Sequence, residues 1–97
     1  MNRKEKIKDK ILKNKSDLAQ RYFIKKIGLF GSYLYGKQTR RSDADILVEF
    51  SKPVSLFDFL ECEEFLSQLI GIKVDLVSRK ALKPIIGKHI LDEVEYI

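Results

Sequence analysis

The sequence predicts an α/β domain, a small sheet of about three strands flanked by helices. Two observations carry this. Three short runs rich in branched and aromatic residues, 24–30 (IKKIGLF), 43–50 (DADILVEF) and 72–77 (IKVDLV), have the length and composition of strands. They alternate with segments whose apolar residues recur at helical spacing, and strand–helix alternation is the pattern of a sheet covered by helices. A chain of 97 residues can bury one core and not two, and no linker or internal repeat divides it, so residues 1–97 are read as a single domain.

Residues 4–20 are expected to form one helix, with Ile7, Ile11, Leu12, Leu18 and Ala19 near a 3.6-residue period and lysines on the opposite side. Strand 24–30 follows and ends at Gly31-Ser32. Glycine permits the tight turn and serine can cap, so a short helix is expected to open there. Residues 37–42 (KQTRRS) read as a loop. In 43–50 the alternation places Ala44, Ile46, Val48 and Phe50 on one face and Asp43, Asp45, Leu47 and Glu49 on the other. Ser55 with Asp58 three residues on starts a helix running to about Ile70, carrying Leu56, Phe59, Leu60, Leu66 and Leu69, and Gly71 stops it. In 72–77, Ile72, Val74 and Leu76 share one face and Lys73, Asp75 and Val77 the other. Pro84 starts a last helix with Ile86, Ile90 and Val94 inward and Gly87 in its interior.

At 44% hydrophobic and 34% charged, the chain is too apolar for a disordered tail and too charged for a membrane protein. No uncharged apolar run approaches the roughly 18–20 residues of a span, and MNRKEKIKDK has no apolar core of a secretory signal. The single cysteine, Cys62, has no partner for an internal disulfide, which fits a reducing, cytoplasmic setting. The net charge of +5 is unevenly placed. Ten basic and three acidic residues in 1–26 give that segment +7, and the other 71 residues carry −2. Such a basic face is a solvated helix surface or a surface for nucleic acid or an acidic partner. Residues 58–64 (DFLECEE) hold four acids and form an opposite patch.

The residues that carry chemistry are Asp43, Asp45 and Asp75, with Gly31 and Ser32. Asp43 and Asp45 leave one face of a strand, about 6–7 Å apart at the backbone. Carboxylates so close repel unless a cation lies between them, and their hard oxygens suit Mg²⁺, which keeps other positions for water and substrate phosphate. Asp75 has the same phase on its own strand, so all three converge if the strands are neighbours. Three such carboxylates can serve phosphoryl chemistry. Gly31 lets a phosphate approach the backbone, and the Ser32 hydroxyl and nearby amides can hold its oxygens.

The combination LFGSYLYGKQTRRSDADILVEF, with KVDLV downstream, resembles the minimal nucleotidyltransferases of the DNA polymerase β-like superfamily, whose signature is Gly-Ser, ten residues, then Asp-x-Asp. The spacer here, Tyr33 to Ser42, is ten residues. The helix SLFDFLECEEFL and the segment ALKPIIGKHILDEVEYI extend the likeness over nearly the whole chain, and the small stand-alone members are similar to the antitoxin half of HEPN/MNT toxin–antitoxin pairs. The resemblance implies a mixed-sheet palm fold and a Mg²⁺-dependent transfer of a nucleoside monophosphate to a hydroxyl. Gly31 and Ser32 would bind the phosphates of the triphosphate, Asp43 and Asp45 the metal, and Asp75 would complete the metal site and help deprotonate the acceptor. In members of the antitoxin type the nucleotide is ATP and the acceptor a tyrosine of the partner HEPN ribonuclease toxin, whose nuclease the added AMP blocks. One departure stands out. Many relatives carry arginines just after Gly-Ser, where this chain has Tyr33 and Tyr35, so Lys37, Arg40 or Arg41 are the candidate replacement cations.

Tyr33 and Tyr35 stack on a base or pack beside the turn. His89 and Cys62 lack ligand-spaced companions and are read as packing or surface residues, and Glu49 as surface at the rim of the site. Three functions compete: adenylyl transfer to a protein partner, neutralisation of that partner by contact alone, and nucleotidyl transfer to RNA or a small molecule. A chain this short leaves no second domain to hold a small acceptor, which favours a protein.

Overall fold

In the computed structural model, which describes residues 1–97, the basic segment forms two helices and not the one expected. Helix α1 spans Arg3–Lys13 and α2 spans Lys15–Tyr22. Asn2 caps α1 by accepting the Glu5 N–H at 2.8 Å. Asn14 interrupts the run. Its backbone N–H donates to the Ile11 carbonyl at 3.0 Å and its side-chain amide to the Lys10 carbonyl at 2.8 Å, so it closes α1 as a cap. Ile7, Ile11 and Leu18 are buried, while Leu12 and Ala19, expected on the same face, are exposed.

Strand β1 is Ile24–Phe30, β2 is Ala44–Phe50, β3 is Val74–Ser78 and β4 is Glu95–Tyr96. They form a mixed sheet in the order β3-β2-β1-β4, with β2 antiparallel to β1, β3 parallel to β2, and β4 antiparallel to β1. The count is therefore four and not about three. Two residues are too few for alternation to register, so β4 left no trace in the sequence pattern. Strand β3 also starts two residues later than expected, with Ile72 in the turn before it.

Parallel β2 and β3 need a crossover, and α3 (Leu56–Ile70) supplies it. Ser55 caps its start by accepting the Asp58 N–H at 3.1 Å, and Gly71, left-handed, ends it. The helix buries Cys62, Leu66 and Ile70. Of the other apolar residues it carries, Leu56, Phe57 and Leu60 are exposed. After a short turn of 3₁₀ helix (Arg79–Ala81), α4 spans Pro84–Glu93. Ile86, expected inward, is exposed, and Ile90 and Val94 are half-buried. Gly87 is the buried residue of this helix. A Cβ there would stand 2.8 Å from that of Leu82, so glycine is what lets α4 close on the segment before it.

The main core joins one face of the sheet (Ile27, Leu29, Ala44, Ile46, Val48, Val74, Leu76) to α1, α2 and α3. The other face carries Phe30, Asp45, Leu47 and Asp75. Phe30 and Leu47 are buried outside that cluster, and polar residues flank them on this second face, Asp45 and Asp75 at one end and the Lys26–Glu49 pair at the other.

Candidate active site

The carboxylate end of this face is built by strand register. Phe30 is opposite Asp45 on the antiparallel side, and Asp45 is opposite Asp75 on the parallel side. Residues in register on neighbouring strands point to the same face. Phe30, Asp45 and Asp75 thus form one row across three strands. Asp43 stands just before β2, two residues ahead of Asp45. The strands are neighbours, the condition that the sequence set, and Asp45 and Asp75 stand side by side in register.

Gly31 follows directly from Phe30 and is held at φ +78°, a conformation that a side chain disfavours. A Cβ at Gly31 would run into the Asp45 carboxylate, standing 3.0 Å from its Cγ. The backbone of the Gly-Ser pair therefore lies against the middle carboxylate, with no room for any other residue. After it the chain makes turns over 32–36 and not the short helix expected. The Leu34 N–H donates to the Gly31 carbonyl at 3.1 Å and the Lys37 N–H to the Ser32 carbonyl at 2.9 Å.

Asp45 is half-buried, and its carboxyl is raised above the usual range. Burial is the largest cause, followed by the charges of Asp75 and then Asp43. None of the four ion pairs of the chain involves these three residues. They do not already close as a three-ligand cage. Mg²⁺ does not require one, because it binds through one or two carboxylates and completes its shell with water and substrate phosphate. A clustered set of hard oxygens whose mutual repulsion a divalent cation would relieve fits that ion.

Two residues unrecognised in the sequence position Asp75. Strand β3 is at the sheet edge, so the N–H groups on its outer side have no strand partner. Ser67 of α3 accepts the Val74 N–H at 2.9 Å, and Glu63 of α3 accepts the Leu76 N–H at 2.9 Å. Ser67 also donates to the Glu63 carbonyl at 2.9 Å. These bonds bracket Asp75 on both sides. Glu63, counted in the sequence as one of four patch acids, faces the strand instead, and only knowledge that β3 is an edge strand could have found it.

Tyr33 is buried in the core at 4% exposure, which removes it from base stacking, and its hydroxyl donates to the Ser42 carbonyl at 3.5 Å. Tyr35 is exposed. Lys37, Arg40 and Arg41 are exposed as well, and of the three only Arg40 and Arg41 line a cleft of about 530 Å³ beside Asp43. Glu49 lies farther along β2, opposite Lys26 and away from the row of carboxylates. His89 is exposed on α4. Cys62 is buried, and burial pushes its thiol up to about 12. A larger groove of about 600 Å³, lined by Phe50, Leu56, Phe59 and Leu76 among others, lies at the opposite end of β2 and β3.

The sequence profile of the family described as nucleotidyltransferase domain matches residues 5–97. This chain belongs to the nucleotidyltransferase domain family. Among its relatives, the protein adenylyltransferase MntA of Thermococcus cleftensis is 43% identical over 93 residues, covering 96% of this nucleotidyltransferase and 94% of the relative. The Methanocaldococcus jannaschii protein MJ0128 is 47% identical over 92 residues, with 94% of each chain covered. Among solved structures, a chain of a toxin–antitoxin complex crystallised with AMP-PNP superposes with a TM-score of 0.75 at 27% identity, over 91% of this nucleotidyltransferase and 69% of that chain. The mixed sheet with its flanking helices is thus the fold of the family, and the chain is an enzyme of the nucleotidyltransferase class.

Proposed function

We propose that this nucleotidyltransferase transfers AMP from ATP to a hydroxyl, a tyrosine, of a partner HEPN ribonuclease toxin, and that it acts as the antitoxin of that pair. The observation that carries the reading is the row of Asp45 and Asp75 on adjacent parallel strands, with the Gly31 backbone against the Asp45 carboxylate. The likeness to an adenylyltransferase named MntA and to a toxin–antitoxin chain crystallised with AMP-PNP supports adenine and a protein acceptor.

Gly31 and Ser32 hold the phosphates of ATP through backbone amides and the serine hydroxyl. Asp43 and Asp45, with Asp75, would hold Mg²⁺. When bound, the ion offsets the charge of the phosphates and of the carboxylates together. The acceptor oxygen attacks the α-phosphorus, forming a new P–O bond while the bond to the bridging oxygen of the β-phosphate breaks. Pyrophosphate leaves with that electron pair, and Asp75 takes the hydroxyl proton. Asp75 is exposed on the edge strand, where an acceptor from another protein can reach it.

Incubation with ATP, Mg²⁺ and the product of the neighbouring gene, followed by mass spectrometry, tests this. The expected result is added AMP on a partner tyrosine with the wild type and none with D43A/D45A. Neutralisation of the partner by D43A/D45A with no mass change would replace the transfer reading with binding alone.

A further inference from the structure

We infer that this nucleotidyltransferase recognises its acceptor through acidic residues flanking the target hydroxyl, bound in the cleft beside Asp43. The inference rests on the transfer reading above for what the acceptor is. The walls of the cleft come from three separate places. Arg3 stands at the start of α1, Arg40 and Arg41 in the loop before β2, and Lys73 just before β3. None of these four cations joins an ion pair of the chain or lies over an aromatic ring. Asp43 is the single acid in the lining. Four unpaired cations around one cavity attract anions and repel cations.

The position of the cleft assigns it to the acceptor and not to the triphosphate. The row across the sheet runs from Gly31, after β1, through Asp45 to Asp75 on the outermost strand. The cleft is lined by the segments that lead into β2 and β3, and neither Gly31 nor Ser32 contributes to it.

The test uses two fluorescein-labelled peptides with a central tyrosine, one flanked by glutamates and one by lysines. Their binding to the full chain is followed by fluorescence anisotropy without nucleotide or metal. The glutamate peptide is expected to bind about tenfold tighter at low salt and to lose that advantage as salt rises. The variant R40E/R41E is expected to reverse the preference. With ATP and Mg²⁺, the same variant should raise KM for the glutamate peptide and leave KM for ATP unchanged. Equal binding of the two peptides overturns the inference. So does a rise in KM for ATP with unchanged peptide binding, which would give these cations to the donor, and so does displacement of the glutamate peptide by an equimolar short oligoribonucleotide. Because the binding arm needs no nucleotide, selective binding without AMP transfer would sink the transfer reading and keep the acidic specificity of the cleft.

Discussion

Asp45 meets competing demands. The sheet half-buries it, and Asp75 and then Asp43 add like charge, all of which disfavour its ionised form, while the Gly31 backbone lies against its carboxylate. A carboxyl raised in the folded state binds more protons there than in the unfolded chain. Its ionisation therefore destabilises the fold as pH rises from the unfolded value near 3.9 through the folded one, and the cost stays constant above that. Asp45→Asn is expected to abolish AMP transfer and to raise Tm at pH 7, with the gain gone well below the unfolded value near 3.9, where the carboxyl is neutral in both the folded and the unfolded chain. Mg²⁺ is expected to raise Tm of the wild type and not of the variant, since only the former binds it in the folded state. Thermal unfolding across pH, with and without Mg²⁺, reads the three stability effects, and mass spectrometry of the partner reads the loss of transfer. Much of this site was legible as residues. The ten-residue spacer and the strand phase singled out Asp43, Asp45, Asp75, Gly31 and Ser32. The contact between Gly31 and Asp45 was not legible, because a turn signal does not say which side chain the turn will meet.

Among the elements, α3 does more than cross from β2 to β3. Through Ser67 and Glu63 it fixes the two residues on either side of Asp75. Glu63→Ala leaves the Leu76 N–H without its partner in a partly buried place, at a cost of about 1–3 kcal/mol. It should lower kcat for transfer while leaving KM for ATP near its original value. Glu63→Gln, which keeps an accepting oxygen, should restore most of both. Urea unfolding and steady-state kinetics separate the two effects. The elements themselves were mostly readable from period and caps, as with Ser55 and Gly71 at the ends of α3. The failures have physical causes. Ile11 and Leu18 are seven residues apart, close to two helical turns, so they share a face with or without the break at Asn14. The turns over 32–36 replaced a helix because Tyr33 is drawn into the core, a tertiary preference that local capping signals do not carry.

At the scale of the molecule, the two ends of the chain are tied together. Lys4 and Lys8 of α1 reach Glu95 of β4 at 2.7 and 3.2 Å. Their hydrogen bonds hold the Glu95 carboxyl below its ordinary value. The stabilisation is therefore present above the unfolded value near 4.3 and lost as pH falls through the folded one. Glu95→Gln should lower the urea midpoint at pH 7 and match the wild type in strong acid. The loss belongs to the range of exposed ion pairs, about 1 kcal/mol or less, and shrinks in high salt. Part of the uneven charge seen in the sequence is thus used internally. Ile86, expected inward, is exposed on α4, and Leu56 and Leu60 are exposed on α3. A pattern of spacing marks an apolar stripe and cannot say whether that stripe meets its own chain.

The outer border of β3 has one more effect. With Ser67 and Glu63 seated on its amides, that border offers no vacant ladder for an incoming extended segment, and the opposite border, β4, is two residues long. Whatever protein docks at the Asp75 side must do so by side chains and loops and not by lengthening the sheet, which also protects this small fold from stacking with its own kind.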